Sequence, residues 1–226
     1  MTAEDIKNST EVSDESVDST WIYRFFDAVK DIDSEAIQRI WSKILSKEIA
    51  SPNSTSLRTL ETLRNMSTKE ALSFEKIMPY VINFGGDTCL ISSDLELMTS
   101  FNITTEDYFL LDWCGLIQMV PFCSVSDMVD CKDQRRNLWT NDRLLLITNK
   151  TDGNIKLQID NIYLLTMAGK ELFNILYSEP NNEFFIKWVE RIHSANSSLR
   201  FEILQRSENR NELTYDSNPI IIFEEK

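Results

Sequence analysis

The chain has 226 residues, of which 42% are hydrophobic and 26% are charged, with five glycines and five prolines. This composition excludes the collagen-like, low-complexity and wholly disordered classes. Asp and Glu outnumber Lys and Arg by 36 to 23, which gives a formal net charge of -13. Because nonspecific affinity for nucleic acid comes from neutralising phosphates, this charge argues against a general polyanion binder.

The first 20 residues carry six acidic side chains and a single lysine. They lack the apolar core of a signal peptide, and we expect residues 1–19 to form a disordered acidic lead. No later window holds the roughly 18 to 20 apolar residues that span a bilayer. The cysteines fit neither paired zinc-ligand spacing nor a small disulfide scaffold; they are Cys89, Cys114, Cys123 and Cys131. We therefore predict a cytoplasmic protein with reduced thiols, no membrane association and no cofactor.

Helical spacing of apolar residues dominates residues 20–82, which we predict to be an all-α unit. Asp18, Ser19 and Thr20 offer N-cap oxygens to its first helix. A second set of capping residues at 31–34 predicts a break that divides this segment into two helices.

Further capping and turn signals follow in the same unit. The polar stretch at 51–56 predicts a turn, and residues 57–66 resume the helical pattern. Ser67 and Glu70 stand at the spacing of a capping box, which predicts another helix that runs to about Tyr80.

A helix and several short strands are indicated after this unit. Thr104 and Asp107 stand at N-capping spacing, and Gly115 follows as a C′ glycine, so we predict a helix over residues 105–114. The runs RLLLITN and IKLQIDNIYLL flank an Asp152-Gly153 turn and predict a β-hairpin. The run LTMAGKELFNIL then predicts a further helix.

The order of helix, strand, hairpin and helix over residues 83–178 is similar to a winged-helix domain. Residues 179–226 contain a helix led by Pro180 and two strand-like runs, LRFEILQR and PIIIF. We therefore predict an α+β fold that is mainly α. It would consist of an N-terminal helical unit, a winged-helix-like unit and a small C-terminal α/β extension.

The chain past residue 20 resembles a bacterial family of unknown function that is found in prophages and defence-associated loci. The resemblance lies in FFDAVKDIDSEAIQRIWSKILSKEI, in SLRTLETLRNMSTKEALSF and in LTMAGKELFNIL. It implies a phage-related, cytosolic context, and it supplies no catalytic residues to carry over.

A winged-helix unit raises the hypothesis of DNA binding, because the helix before the GLI strand normally enters the major groove. Here that helix carries Glu106, Asp107 and Asp112 and no cation, and residues 81–180 hold fourteen acidic against seven basic side chains. Carboxylates directed at phosphates are repulsive. We therefore favour a non-enzymatic protein-interaction module, with a protein partner of unknown identity.

Two alternatives remain beside this interpretation. In the first, the protein is a dimeric winged-helix transcriptional regulator that binds an anion or DNA through Lys132, Arg135, Arg136, Lys150 and Lys156. In the second, the acidic surface is a decoy of a DNA-binding protein. The sequence is compatible with a homo-oligomer. Its charge disfavours nucleic acid as a partner without excluding it.

Catalysis has no signature in the chain, so we predict that the protein is not an enzyme. The single histidine, His193, lies at the end of a predicted helix with no nucleophile motif beside it. Aromatic residues on helical stripes are expected in the core, and any that stay exposed would mark a partner or self-association surface. The stripe residues are Trp21, Phe25, Phe26 and Trp41.

Overall fold

The computed structural model describes residues 15–85, 88–121, 123–130, 135–176, 178–206 and 215–224. Most of the predicted acidic lead, together with Cys131 and Lys132, lies outside the described residues. The chain divides into two units. The first unit contains residues 1–76, 106–118 and 165–178, and the second contains residues 77–105, 119–164 and 179–226.

The described residues form eight α-helices. These are α1 (Ser19–Val29), α2 (Glu35–Ala50), α3 (Leu57–Arg64), α4 (Thr68–Ile77), α5 (Leu95–Thr99), α6 (Thr105–Trp113), α7 (Met167–Ile175) and α8 (Asn182–Ser194). Helices α5 and α8 belong to the second unit, and the others belong mainly to the first.

Ten strands are described as well. These are β1 (Ile82–Asn83), β2 (Cys89–Ser92), β3 (Ile117–Gln118), β4 (Val125–Val129), β5 (Arg135–Trp139), β6 (Arg143–Asn149), β7 (Ile155–Ile159), β8 (Ile162–Leu165), β9 (Leu199–Gln205) and β10 (Ile221–Phe223). In the second unit, seven strands follow the order β10-β9-β6-β5-β1-β2-β8, and β4 pairs separately with β7.

The predicted caps fix the starts of α1 and α4 in the first unit. Asp18 Oδ1 accepts a hydrogen bond from the backbone of Trp21 at 2.9 Å, which begins α1. Ser67 and Glu70 exchange side-chain hydrogen bonds with each other's backbone N–H, so the capping box at the start of α4 is confirmed. The break between α1 and α2 is confirmed too, because α2 begins after Ser34.

The LTMAGKEL motif joins two distant segments of the first unit. Thr166 caps α7 by accepting from the backbone of Gly169, and its hydroxyl donates to the Gly115 carbonyl at 2.6 Å. A Cβ on Gly169 would lie 2.0 Å from the Leu116 carbonyl oxygen, so only glycine fits there. Gly115 has φ +78°, which confirms the predicted C′ glycine.

Each unit buries its own apolar side chains. In the first unit the fully buried residues include Ile44, Leu60, Leu63, Phe74 and Leu172, and in the second they include Leu144, Leu145, Phe185, Phe201 and Ile203. The helices of the first unit thus share one face of apolar contacts, as helical amphipathicity requires.

The predicted α+β class is confirmed, but a mainly α fold with a winged-helix-like unit is wrong. Of the described residues, 43% are helical and 24% are in strands. The second unit contains seven strands in one antiparallel array and the separate β4–β7 pair. Strand β6 pairs with β9 from Arg143 opposite Gln205 to Asn149 opposite Leu199. Because β9 follows β6 by about 50 residues, no local pattern reveals this pairing.

The predicted hairpin across the Asp152-Gly153 turn is also wrong. Strand β6 pairs with β5 and β9, whereas β7 pairs with β4. The Asn149 side chain donates to the carbonyls of Val129 and Gly153, at 2.9 and 2.6 Å. These bonds tie the residues after β6 to β4, so the chain changes sheet where a tight hairpin was expected.

Candidate protein-interaction site

Helices α1 and α2 form a helical hairpin, and a groove of about 310 Å³ lies along it. The groove is lined by Phe25, Val29, Ile32, Gln38, Trp41, Ser42 and Leu45. All of these residues belong to the first unit. Only five residues join the two helices, and Phe25 of α1 contacts Trp41 of α2 with ring centroids 5.3 Å apart.

The lining residues repeat at helical spacing on both helices. Phe25 and Val29 are four residues apart on α1, and the four lining positions of α2 are separated by three, one and three residues. Positions with this spacing lie on one side of a helix. The two stripes therefore form the walls of the groove.

Exposed apolar side chains extend the groove at its rim. Ile22 and Phe26 on α1 are 39% and 59% exposed, and Ile49 on α2 is 46% exposed. Ile49 follows Leu45 by four residues, which places it on the same stripe. Contiguous exposed apolar surface marks interaction sites more often than scattered exposed residues do.

Two buried tryptophans of the hairpin differ in their hydrogen bonding. Trp21 and Trp41 are 4% and 2% exposed, and both rings contact Phe25, with centroids 5.2 and 5.3 Å away. Trp21 Nε1 donates to the Thr55 carbonyl at 2.8 Å. Trp41 Nε1 has no acceptor among the described residues. A buried indole donor normally has a partner, so the groove wall contains an unsatisfied polar atom.

Charged residues of α1 lie away from the groove. Asp27 pairs with Lys30 at 2.8 Å and with Arg64 at 3.1 Å, so it faces α3. The hydrogen bond and charge of Lys30, with a further contribution from Arg64, hold the pKa of Asp27 below its ordinary value. No lining residue of the groove is ionisable. The groove therefore offers apolar contact with a few neutral polar groups, as protein-interaction sites commonly do.

Two acidic residues of α6, Glu106 and Asp107, form ion pairs within the first unit. Glu106 pairs with Lys69, and Asp107 pairs with Lys76 at 2.7 Å and accepts from the Ser73 hydroxyl at 3.1 Å. Their partners all lie on α4 of the same unit. These carboxylates therefore hold two helices together, which the sequence pattern did not predict.

An exposed pair of aromatic residues lies on α6. The rings of Phe109 and Trp113 stack with centroids 5.8 Å apart, and both side chains are exposed. Each ring covers part of the other, whereas the residues of the α1–α2 groove line a cavity. We therefore assign the candidate site to the groove.

The predicted cationic site falls in the second unit. Arg135 and Arg136 lie in β5, Lys156 lies in β7 and Lys150 follows β6, while Lys132 lies outside the described residues. Arg135, Lys150 and Lys156 are exposed. The role of these residues toward an anion or DNA stays a prediction.

The structure brings the four described cations into one region. Arg135 is paired with Thr148, two residues before Lys150, and Lys156 is paired with Met128. Arg136 donates to the Met128 carbonyl at 2.7 Å and forms an ion pair with Asp127. This carboxylate neutralises the central cation, which weakens the attraction of the cluster for phosphate.

A polar pocket of about 140 Å³ lies in the second unit, and polar side chains that line it form ion pairs and hydrogen bonds with one another. Arg191 pairs with Asp94 and, at 3.5 Å, with Glu96, and the Gln158 amide donates to Asp160 at 2.9 Å. Within the described ranges, no group of three or more His, Cys, Asp or Glu side chains is placed to hold a metal ion. The pocket therefore presents no set of free ligands for a cation.

The apolar groove could have been detected from the breadth of the apolar face on α2. The apolar residues are Ile37, Ile40, Trp41, Ile44, Leu45 and Ile49. At about 100° per residue they cover an arc of about 180°, wider than the stripe that one buried face needs. Part of this arc packs on α7 and on Phe25 of α1, and Trp41 and Leu45 line the groove.

The fold and the groove together define an α+β protein with a candidate helix-binding site. Residues 1–188 match the model of a family described as "Protein of unknown function (DUF2806)", and the chain belongs to this family. The expectation of a family of unknown function is confirmed. No curated protein and no solved structure matched the chain. None of the helices in the described part of the chain has the length and apolarity to cross a membrane.

Proposed function

We propose that the protein is a non-enzymatic interaction module whose α1–α2 hairpin binds an amphipathic helix of another protein. The groove supports this proposal, because its walls are stripes at helical spacing and exposed apolar side chains extend them at the rim. Grooves of this kind bind a helix through apolar anchors at positions i, i+3, i+4 and i+7. The partner helix would cover Phe26 and Ile49 at the rim.

We further propose that the interaction takes place in the cytosol and belongs to phage defence or prophage biology. The support for this context is the sequence resemblance carried by the α1–α2 segment and by LTMAGKELFNIL. Cys114 and Cys123 are free thiols, which accords with a reducing compartment. The DNA-binding and acidic-decoy hypotheses stay predictions.

Site-specific photo-crosslinking in the native host tests the proposal. A photo-reactive amino acid replaces Ser42 at the groove wall, and the matched control replaces Lys47, which is exposed and lies on the far side of α2. We expect a crosslinked protein from position 42 and none of the same species from position 47.

The captured protein is then purified and its binding is measured directly. Phe26→Glu places a charge on the exposed rim, where it disturbs folding little, and we expect it to weaken binding at least about tenfold. Equal binding by the wild type and Phe26→Glu would contradict the proposal, as would the same crosslinked species from positions 42 and 47.

A further inference from the structure

Helix α1 carries an exposed apolar stripe beside the groove that it helps to form. Ile22 and Phe26 are exposed, and the groove residue Val29 is half-buried. At about 100° per residue the three positions lie within an arc of about 60°. Their spacing, i, i+4 and i+7, is that of the apolar anchors with which a helix binds in a groove. The chain therefore contains both a groove and a helix of the kind that fits it.

The other side of α1 is taken up by contacts within the same unit. Arg24 and Asp27 form ion pairs with α3, at 3.5 and 3.1 Å, so the charged side of α1 faces that helix. The Phe26 ring meets the groove residue Phe25 edge-on, with centroids 5.5 Å apart, and keeps most of its surface exposed. Phe26 is therefore a projecting aromatic side chain at the edge of an open groove.

Charge is balanced on this hairpin, in contrast to the whole chain. Residues 19–50 contain five basic and five acidic side chains, whereas the whole chain has a net charge of -13. The exposed charges nearest the apolar surface have opposite signs, because Lys30 follows Phe26 by four residues and Glu35 precedes Gln38 by three. Two copies of a strongly acidic chain repel each other unless they meet through a neutral surface. The hairpin provides such a surface.

We infer that α1 of a second copy occupies the groove when the partner helix is absent, so that dimerisation and partner binding exclude each other. The inference rests on the proposed function and adds a regulation of the same groove. In a two-fold arrangement, Phe26 of each copy enters the groove of the other, which covers both apolar stripes at once. Such an isologous contact requires a self-complementary patch, and a projecting aromatic side chain beside an open groove meets this requirement.

Analytical ultracentrifugation of the full-length protein tests for the dimer. The exposed stripe is small, so we expect weak association, with a dissociation constant on the order of 10 to 100 µM. The dimer should be at least about threefold tighter at about 0.5 M than at about 20 mM salt, because salt screens the repulsion between two acidic chains. A protein that stays monomeric at every concentration up to about 300 µM overturns the inference, as does a dimer that weakens when salt is added.

Two charge substitutions locate the dimer contact. Phe26→Glu and Trp113→Glu each place one carboxylate at an exposed aromatic position of the first unit, and Trp113 is 75% exposed. We expect Phe26→Glu to weaken the dimer at least about tenfold, because its charge would be buried in the contact, and Trp113→Glu to leave the affinity within about twofold. Unchanged dimerisation of Phe26→Glu overturns the inference, and so does a loss in Trp113→Glu that matches the loss in Phe26→Glu.

A designed amphipathic helical peptide with one stripe of leucines tests the exclusion. At a protein concentration of about 100 µM, we expect saturating peptide to convert the dimer into a peptide-bound monomer. A dimer that persists with the peptide bound overturns the inference.

Peptide binding at low protein concentration separates the two proposals. At about 0.1 µM protein the chain is monomeric, so binding of the peptide there tests the proposed function alone. If the peptide binds and Phe26→Glu weakens its binding while the protein never dimerises, the groove remains a helix-binding site and only the inference is overturned. If the peptide does not bind, the proposed function fails and the inference fails with it.

Discussion

Trp21 and Trp41 both contact Phe25, yet the two indoles differ in their hydrogen bonding and in what lies beside them. On the Trp21 side, the indole donates to the Thr55 carbonyl. On the Trp41 side, the indole lines a groove and its donor has no acceptor among the described residues. We call these the closed side and the open side of the hairpin. The comparison shows that a side chain can be buried while its polar atom lacks a hydrogen-bond partner and the surface beside it stays uncovered.

The closed side is also recognisable in the loop that follows α2. Glu48 is buried, and its carboxylate accepts from the backbone of Asn53 at 2.7 Å, the Ser54 hydroxyl at 3.0 Å and the backbone of Thr55 at 2.9 Å. These bonds fix the carbonyl that receives the Trp21 indole. On the open side, the Gln38 amide donates to the Ile32 carbonyl at 3.0 Å.

The largest effect is expected where the first unit is most tightly packed. Gly169→Ala would place a Cβ 2.0 Å from the Leu116 carbonyl oxygen, a backbone atom that cannot move without shifting the chain. We expect the free energy of unfolding to fall by about 3 kcal/mol or more. Gly153→Ala is the control, because a Cβ there meets nothing within 4 Å. Urea denaturation measures both variants, and similar midpoints would contradict the described packing.

The paired tryptophans give a direct comparison of the two sides. Trp21→Phe removes a satisfied donor and leaves the Thr55 carbonyl without its indole partner, whereas Trp41→Phe removes an unsatisfied donor. Both changes lose ring volume, so the hydrogen bond decides the difference. We expect Trp21→Phe to be more destabilising by about 1 to 2 kcal/mol. Equal losses in thermal or urea unfolding would show that the two sides do not differ as described.

A smaller effect concerns the thiol next to the Gly115 junction. Burial, with a further contribution from the charge of Glu70, raises the pKa of Cys114 to about 11. The thiol therefore stays protonated at pH 8, and its thiolate forms only as the pH approaches 11. We expect iodoacetamide to modify Cys114 about tenfold more slowly than an ordinary thiol at pH 8. Site-resolved mass spectrometry measures the rate, and fast modification at pH 8 would contradict the raised pKa of Cys114.

Local features of the first unit follow from the sequence. The Asp18 cap, the Ser67–Glu70 capping box and the Gly115 turn were predictable, because each depends on residues within one helical turn of one another. The role of Gly169 was not predictable, since its neighbour Leu116 lies about 50 residues away. The LTMAGKEL pattern is explained by this contact without any winged-helix arrangement.

Strand pairing in the second unit shows where local reasoning fails. The sequence predicts strands at LLLIT and IKLQI, and the structure contains both, but their partners are β9 and β4 rather than each other. A turn dipeptide indicates a hairpin only if neither of the two flanking strands pairs more favourably with another strand of the chain. The broad apolar arc on α2 was visible in the sequence, whereas the absence of a covering element in the described structure was not.

The most direct test of the open side observes the two indole N–H groups by NMR. The protein is titrated with a designed amphipathic helical peptide that carries one stripe of leucines, and the Trp21 and Trp41 resonances are assigned with their Phe variants. We predict that the Trp41 indole resonance shifts and saturates with the binding curve while that of Trp21 stays in place. Binding that moves both resonances equally, or that moves neither, would contradict the account of the groove as the interaction site.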